Sequence, residues 1–256
     1  MLEAVLFDWG DTLMEFAYSP ELVAAGHRAG VEAVGRDGMP ELVAAGHRAG
    51  LAAIGQAERP ELTEHFREEY EPLFWAPGTI EEIEYPQLVL RLLRDFEIEV
   101  DEQQLDRFLE AEHRAWDPAR VLAAHTHPLL EALREHGLKL GLVSNAFDPG
   151  PLLHRDLEQM GLAERLDFSV FSSEVGLRKP HPAIFERALE ALEVEPEQAL
   201  FVGDRLFEDV RGAAELGMTT VQALWFRADE HPDGAEPDYQ AFTQLDVLNV
   251  ARRLAT

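Results

Sequence analysis

Residues that could do chemistry sit at the ends of short apolar runs. Ala4-Val5-Leu6-Phe7 runs into Asp8, followed by Gly10, Asp11 and Thr12. The run 138–143 ends in Ser144-Asn145, and Ala199–Val202 ends in Gly203-Asp204, with Asp209 close behind. Lys179 lies in the loop after a short apolar run at 167–171. Such runs suit strands buried on both faces. In an open parallel sheet their carboxyl ends share one edge, where α/β proteins bind ligands. Asp8, Asp204, Asp209, Ser144 and Lys179 would then converge, although they are far apart in the chain. Three carboxylates, one hydroxyl and one ammonium suit a metal-assisted reaction on an anion. Mg²⁺ takes oxygen ligands from one or two carboxylates plus substrate phosphate. Lys179 would neutralise charge that the carboxylates repel, and Ser144 could hydrogen-bond a phosphate oxygen. Asp8 could act as a nucleophile, forming an aspartyl phosphate.

The elements that must position these groups read as an α/β core with a helical insertion. The first strand spans 3–8. From 129 onward, helical segments at 129–136, 150–160, 182–192, 207–216 and 243–254 alternate with strands at 138–143, 167–171, 199–202 and 219–223, as in a parallel sheet with right-handed crossovers. Between 15 and 123 the pattern is helical, with segments near 61–71, 86–96 and 101–115. His125-Thr126-His127-Pro128 is expected to be an extended linker, its two histidines short of a third metal ligand. The expected division is a core of residues 1–14 and 124–256 and an insertion of 15–123.

The insertion holds a tandem repeat of period 20. Pro20-Glu21-Leu22-Val23-Ala24-Ala25-Gly26-His27-Arg28-Ala29-Gly30 recurs unchanged from Pro40 to Gly50. Pro followed by Glu starts a helix, so each copy is expected to form helix, Gly-containing turn, helix. So few copies do not make a solenoid. His27 and His47 could form a paired site, against the ordinary reading of exposed histidines on small, Gly-rich helices.

The formal net charge is −27, from 22 Lys and Arg against 49 Asp and Glu. No basic stretch offsets it, which argues against nucleic acid and anionic membranes as partners. There are no cysteines, which excludes disulfides and thiolate metal sites. No apolar run approaches a membrane span, and an acidic start entering a strand does not read as a secretory signal. The expectation is a cytoplasmic protein, monomeric or homodimeric, acting on a small molecule.

Four motifs in order resemble the haloacid dehalogenase superfamily of hydrolases. They are Phe7-Asp8-Trp9-Gly10-Asp11-Thr12-Leu13, then Leu142-Val143-Ser144-Asn145, then Gly176-Leu177-Arg178-Lys179-Pro180-His181-Pro182, and then Phe201-Val202-Gly203-Asp204-Arg205 continuing through Asp209 to Ala213. The resemblance implies a Rossmann-like core of parallel sheet and flanking helices, with the insertion as a helical C1-type cap. It implies Asp8 as nucleophile, and Mg²⁺ held by Asp8, the Gly10 main-chain carbonyl, Asp204 and Asp209. Ser144, Asn145 and Lys179 would hold the phosphoryl group, with Asn145 and Thr12 orienting loop ends. Arg178 and Arg205 flank the site and are expected to be solvated. One departure is clear: the family's phosphatases usually carry an Asp two residues after the nucleophile as general acid and base, and here that position is Gly10, with Asp11 one later. Either Asp11 reaches the leaving group, or the substrate carries a good leaving group such as an acyl phosphate or phosphoanhydride, or turnover is slow. The implied activity is an Mg²⁺-dependent phosphatase of a small phosphorylated metabolite. The alternatives are a catalytically weak or inactive phosphate-binding protein and a metal-free 2-haloacid dehalogenase. Phosphonate hydrolases fit poorly, because residues 15–123 hold no lysine.

Overall fold

The computed structural model describes residues 1–16, 39–74, 79–226, 231 and 233–255. In chain order its strands are β1 (Ala4–Phe7), β2 (Met14–Phe16), β3 (Arg120–Leu122), β4 (Lys139–Ser144), β5 (Phe168–Phe171), β6 (Ala199–Gly203), β7 (Thr219–Ala223) and β8 (Tyr239–Ala241). Six of them form one parallel sheet in the order β5-β4-β1-β6-β7-β8. β1 lies at its centre and is buried along its whole length, which explains its unbroken apolar sequence. Its register sets Phe7 beside Leu142 on one flank and Val202 on the other. Asp8 therefore emerges level with the ends of β4 and β6.

The helices are α1 (Met39–Ala53), α2 (Pro60–His65), α3 (Glu71–Phe74), α4 (Tyr85–Asp95), α5 (Glu102–Ala115), α6 (Thr126–Glu135), α7 (Gly150–Gln159), α8 (Ser172–Val175), α9 (Pro182–Leu192), α10 (Gly212–Glu215) and α11 (Gln244–Leu254). One apolar layer joins the sheet to α6, α7 and α11, and a second joins it to α9 and α10. Helices α1 to α5 enclose a separate core, with Leu62, Leu88, Leu92 and Phe108 fully buried. The chain enters and leaves this insertion through β2 and β3, which pair antiparallel, Met14 opposite Leu122 and Phe16 opposite Arg120. Their three-residue lengths give no sequence signal for strands.

Three expectations need correction. The second repeat copy is one continuous helix, α1, without a turn at its glycines. Gly46 and Gly50 instead permit close approach to α5: a Cβ on Gly50 would lie 2.8 Å from the Phe108 ring, and one on Gly46 3.0 Å from Glu112 Cγ. His47 is not exposed but 1% accessible, its Nδ1 2.9 Å from Thr63 Oγ1. The first copy, with His27, lies outside the described residues. The segment His125–Pro128 is not extended either: α6 begins at Thr126, whose buried hydroxyl donates to the Leu13 carbonyl at 2.9 Å. Pro128 is tolerated there because a helix's first turn has no hydrogen-bond partners for its N–H groups.

Candidate active site

The sheet's carboxyl edge gathers the expected residues. Asp8, Asp204 and Asp209 are each at most 7% exposed, and one oxygen from each lies within 4.8 Å of the others. The Lys179 ammonium reaches into this cluster, 2.6 Å from Asp8 Oδ1 and 2.6 Å from Asp209 Oδ1, and donates to the Val143 carbonyl at 2.9 Å. Ser144, the next residue after Val143, ends β4 and is buried. Asn145 grips the lysine's backbone from both sides: Lys179 N donates to Asn145 Oδ1 at 2.7 Å, and Asn145 Nδ2 donates to the Lys179 carbonyl at 3.1 Å. These two bonds join the end of β4 to the loop that carries Lys179.

Each carboxylate is placed by its element. Asp8 continues β1, and its own N–H donates to Val202 O at 2.9 Å. Asp204 follows β6, after Gly203. Asp209 stands on a π-helical turn, Leu206–Arg211, and its Oδ2 accepts from Arg205 N at 2.9 Å. Gly203 is there for space: a Cβ would fall 2.5 Å from Asp209 Oδ2, so no larger residue leaves this carboxylate where it is.

The electrostatics follow from burial. Burial pushes the Asp8 carboxyl up to about 6, with the nearby Asp209 adding to the shift and Lys179 opposing it. Burial alone would depress Lys179, but Asp209 and Asp8 outweigh it and hold the ammonium above its ordinary range. Three buried carboxylates gather around the Lys179 ammonium, with the Arg205 guanidinium acting on them as well, and together they present a set of hard oxygen donors. That donor set fits a divalent metal cation.

Asp11 is not one of the clustered carboxylates. It occupies the turn after Asp8 with φ at 54°, a left-handed conformation that Asp tolerates better than most residues. Thr12 is fully buried, and its carbonyl accepts from Trp225 Nε1 at 3.0 Å, tying the turn to the segment after β7. Arg205 fits the expectation in part: its side chain is 41% exposed and pairs with Glu208 at 3.2 Å. Arg178 does not fit it. Its side chain is 20% exposed, lies 3.7 Å from Glu82 and donates to the Phe74 carbonyl at 3.4 Å, at the seam between insertion and core.

A second acidic group, His113, Asp117 and Asp156, also has metal-ligand proximity. A guanidinium already stands in the cation's place: Arg120 Nη1 is 2.8 Å from Asp117 and 3.4 Å from Asp156. His113 is buried between Asp148 and Asp156, at 2.9 and 2.8 Å, and their carboxylates outweigh burial to raise its pKa. This network fastens α5 to the core, and no motif in the sequence announces it.

The chain is 37% identical over 131 residues to a glyceraldehyde 3-phosphate phosphatase of Methanopyrus kandleri, covering 50% of this chain and 55% of the other. It spans about half the length of the curated relatives it matches. A HAD phosphatase from Thermococcus onnurineus shares the fold with a TM-score of 0.61, at 24% identity and 97% coverage of both chains. A 2-haloacid dehalogenase from Pseudomonas syringae pv. tomato shares it with a TM-score of 0.63, at 22% identity and 99% coverage of both. The family model for haloacid dehalogenase-like hydrolases matches residues 2–217, and the chain belongs to that family.

Proposed function

We propose that the protein is an Mg²⁺-dependent phosphatase of a small phosphorylated metabolite, working through a phosphoryl group carried on Asp8. The observation that carries this reading is the buried cluster of Asp8, Asp204 and Asp209 around one ammonium, Lys179. A metal-free dehalogenation gives no reason to gather three buried carboxylates as hard oxygen donors, whereas a divalent cation does. Asp8, Asp204, Asp209 and the Gly10 carbonyl would hold the cation, which when bound supplies charge neutralisation for the phosphoryl oxygens.

The chain's own residues do the rest. Asp8 attacks phosphorus as the bond to the leaving oxygen breaks, giving an acyl phosphate. Water then attacks the phosphorus of that intermediate, releasing inorganic phosphate and restoring the carboxylate. Lys179 and Ser144 grip the phosphoryl oxygens, and Asn145 fixes Lys179. The proton for the leaving oxygen has no donor at Gly10. Asp11 is the nearest acid in sequence, and acyl phosphates or phosphoanhydrides need that proton least. Helices α1 to α5 act as the cap that excludes water and selects the substrate.

The test is hydrolysis of p-nitrophenyl phosphate and acetyl phosphate with Mg²⁺ and with chelator. Turnover that needs Mg²⁺ and favours acetyl phosphate supports the reading. Turnover unaffected by chelation would sink it. Tight binding of inorganic phosphate without turnover would instead identify a phosphate-binding protein.

A further inference from the structure

The seam between the insertion and the core is built on the loop that carries Lys179. Residues 80–82 lie antiparallel to 176–178: Arg178 N donates to Ile80 O at 2.8 Å, Glu82 N donates to Gly176 O at 2.9 Å, and Glu81 faces Leu177. The next residue in the chain is Lys179. The Glu82 side chain is 2% exposed, and its carboxylate is fully engaged. It accepts from the Ser172 hydroxyl in a short hydrogen bond and from Ile83 N at 2.8 Å, and it lies 3.7 Å from Arg178 Nε. The Ser172 hydroxyl in turn accepts from Ala146 N at 2.8 Å. Ala146 follows Asn145, the residue that grips Lys179. One buried carboxylate of the insertion thus reaches the 176–179 loop directly, at Arg178, and the 145–146 loop through the Ser172 hydroxyl.

We infer that Glu82 is a positioning residue: docked on Ser172 and Arg178, it holds the 176–179 loop and the 145–146 loop in the register that places Lys179 on Asp8. The inference rests on the proposed role of Lys179 and adds a coupling to it. A cap lifted off the core must break the Glu82–Ser172 bond and the 80–82 backbone pairing, so a seated cap adds these restraints to the core contacts that already hold Lys179. Binding energy from a substrate that seats the cap is then used at the reacting atoms, and misplacement by about 1 Å is enough to cost about 10²-fold in rate.

The chain offers an unusually clean readout, because Lys139 and Lys179 are its only lysines. Lys139 is on β4, its ammonium donating to the Leu192 carbonyl at 2.5 Å, and it serves as internal reference. The full chain in Mg²⁺ buffer is reductively methylated with ¹³C-formaldehyde, and the two lysines are followed separately. Glu82→Ala is expected to raise the Lys179 methylation rate about tenfold, as local opening does, with Lys139 unchanged. Glu82→Gln, which keeps an acceptor oxygen for Ser172, is expected to restore most of the protection. On p-nitrophenyl phosphate, Glu82→Ala is expected to lower kcat about tenfold or more with KM within about threefold.

If both lysines react faster in Glu82→Ala, that variant has loosened globally, and Ser172→Ala decides: Lys179 alone must then lose protection. Unchanged Lys179 protection in these variants overturns the inference. So does a Glu82→Ala variant with raised KM and unaltered kcat, since Glu82 would then be contacting substrate. A wild-type chain without phosphatase activity refutes the proposed function, while the methylation result still decides whether Glu82 positions Lys179.

Discussion

At the scale of the residue, the protonation state of Asp8 is set by burial pushing its carboxyl up to about 6 against the pull of Lys179. The attacking group must be ionised, and a bound cation favours the ionised form, so the acid limb of turnover is expected no higher than about 6 and to move to lower pH as Mg²⁺ is raised. The pH–rate profile of the aryl phosphate reaction checks this. Asp8→Asn removes the nucleophile and a buried charge together. Turnover is expected to fall by about 10³-fold or more, with no loss of thermal stability in the absence of metal. Gly10 offers a sharper probe of the proton. Gly10 is not among the positive-φ glycines, so an Asp there meets no left-handed strain. Gly10→Asp supplies a candidate acid and is expected to raise kcat/KM on alkyl phosphates by about 10²-fold, with a smaller gain on acyl phosphates. Equal rates of variant and wild type on an alkyl phosphate would assign the proton to another donor, Asp11 first.

At the scale of the element, the insertion buries acids and bases that do not touch the catalytic cluster. Glu112 on α5 is 6% exposed, and burial pushes its carboxyl up to about 8, against a hydrogen bond from Tyr85. His47 on α1 faces it, Nε2 to Oε1 3.5 Å, and burial lowers the imidazole to about 4. Both groups are therefore neutral near pH 6. The linkage sign follows: the unfolded chain ionises Glu112 from about pH 4.5, while the folded chain holds the proton until about 8. Stability is lost over that window, and the penalty is fully present above it. Glu112→Gln carries no such penalty, so its Tm relative to wild type is expected to rise from pH 5 to pH 8.5. A gain of 1 kcal/mol corresponds to about 2–4 °C in a chain of this size, and a Tm difference independent of pH would count against it. The pairing of these groups was not legible in the sequence. Buried parallel strands announce themselves as apolar runs ending in polar residues, so β1, β4, β6 and β7 and the groups at their ends could be read directly. Glu82 and His113 sit on polar-looking segments, where only tertiary packing distinguishes a buried polar group from a solvated one, whereas Glu112 shares a helical face with Leu105, Phe108 and Leu109 and could be placed there from spacing alone. Gly46 and Gly50 looked like turn residues because close helix contact and chain reversal both favour glycine.

At the scale of the whole molecule, a formal charge of −27 surrounds a site proposed to take an anion. Two fields compete for an approaching phosphate dianion. The global field repels it and is screened within about 10 Å at 0.1 M salt. The local field of Lys179 is strong only inside the cluster, where two carboxylates already lie 2.6 Å from the ammonium. Arg205 adds a second positive group at the rim, where Glu208 and the cluster carboxylates outweigh burial to raise its pKa. With each cation matched by carboxylates, the repulsive field is expected to dominate the encounter. At saturating Mg²⁺, kcat/KM for a dianionic phosphate should then increase about two- to fivefold between about 10 and 150 mM NaCl, through KM, with kcat constant. A monoanionic phosphodiester probe used as a competitive inhibitor should show a weaker dependence. The opposite trend, kcat/KM falling with salt, would show that Lys179 and Arg205 create a net attractive funnel despite the acidic surface.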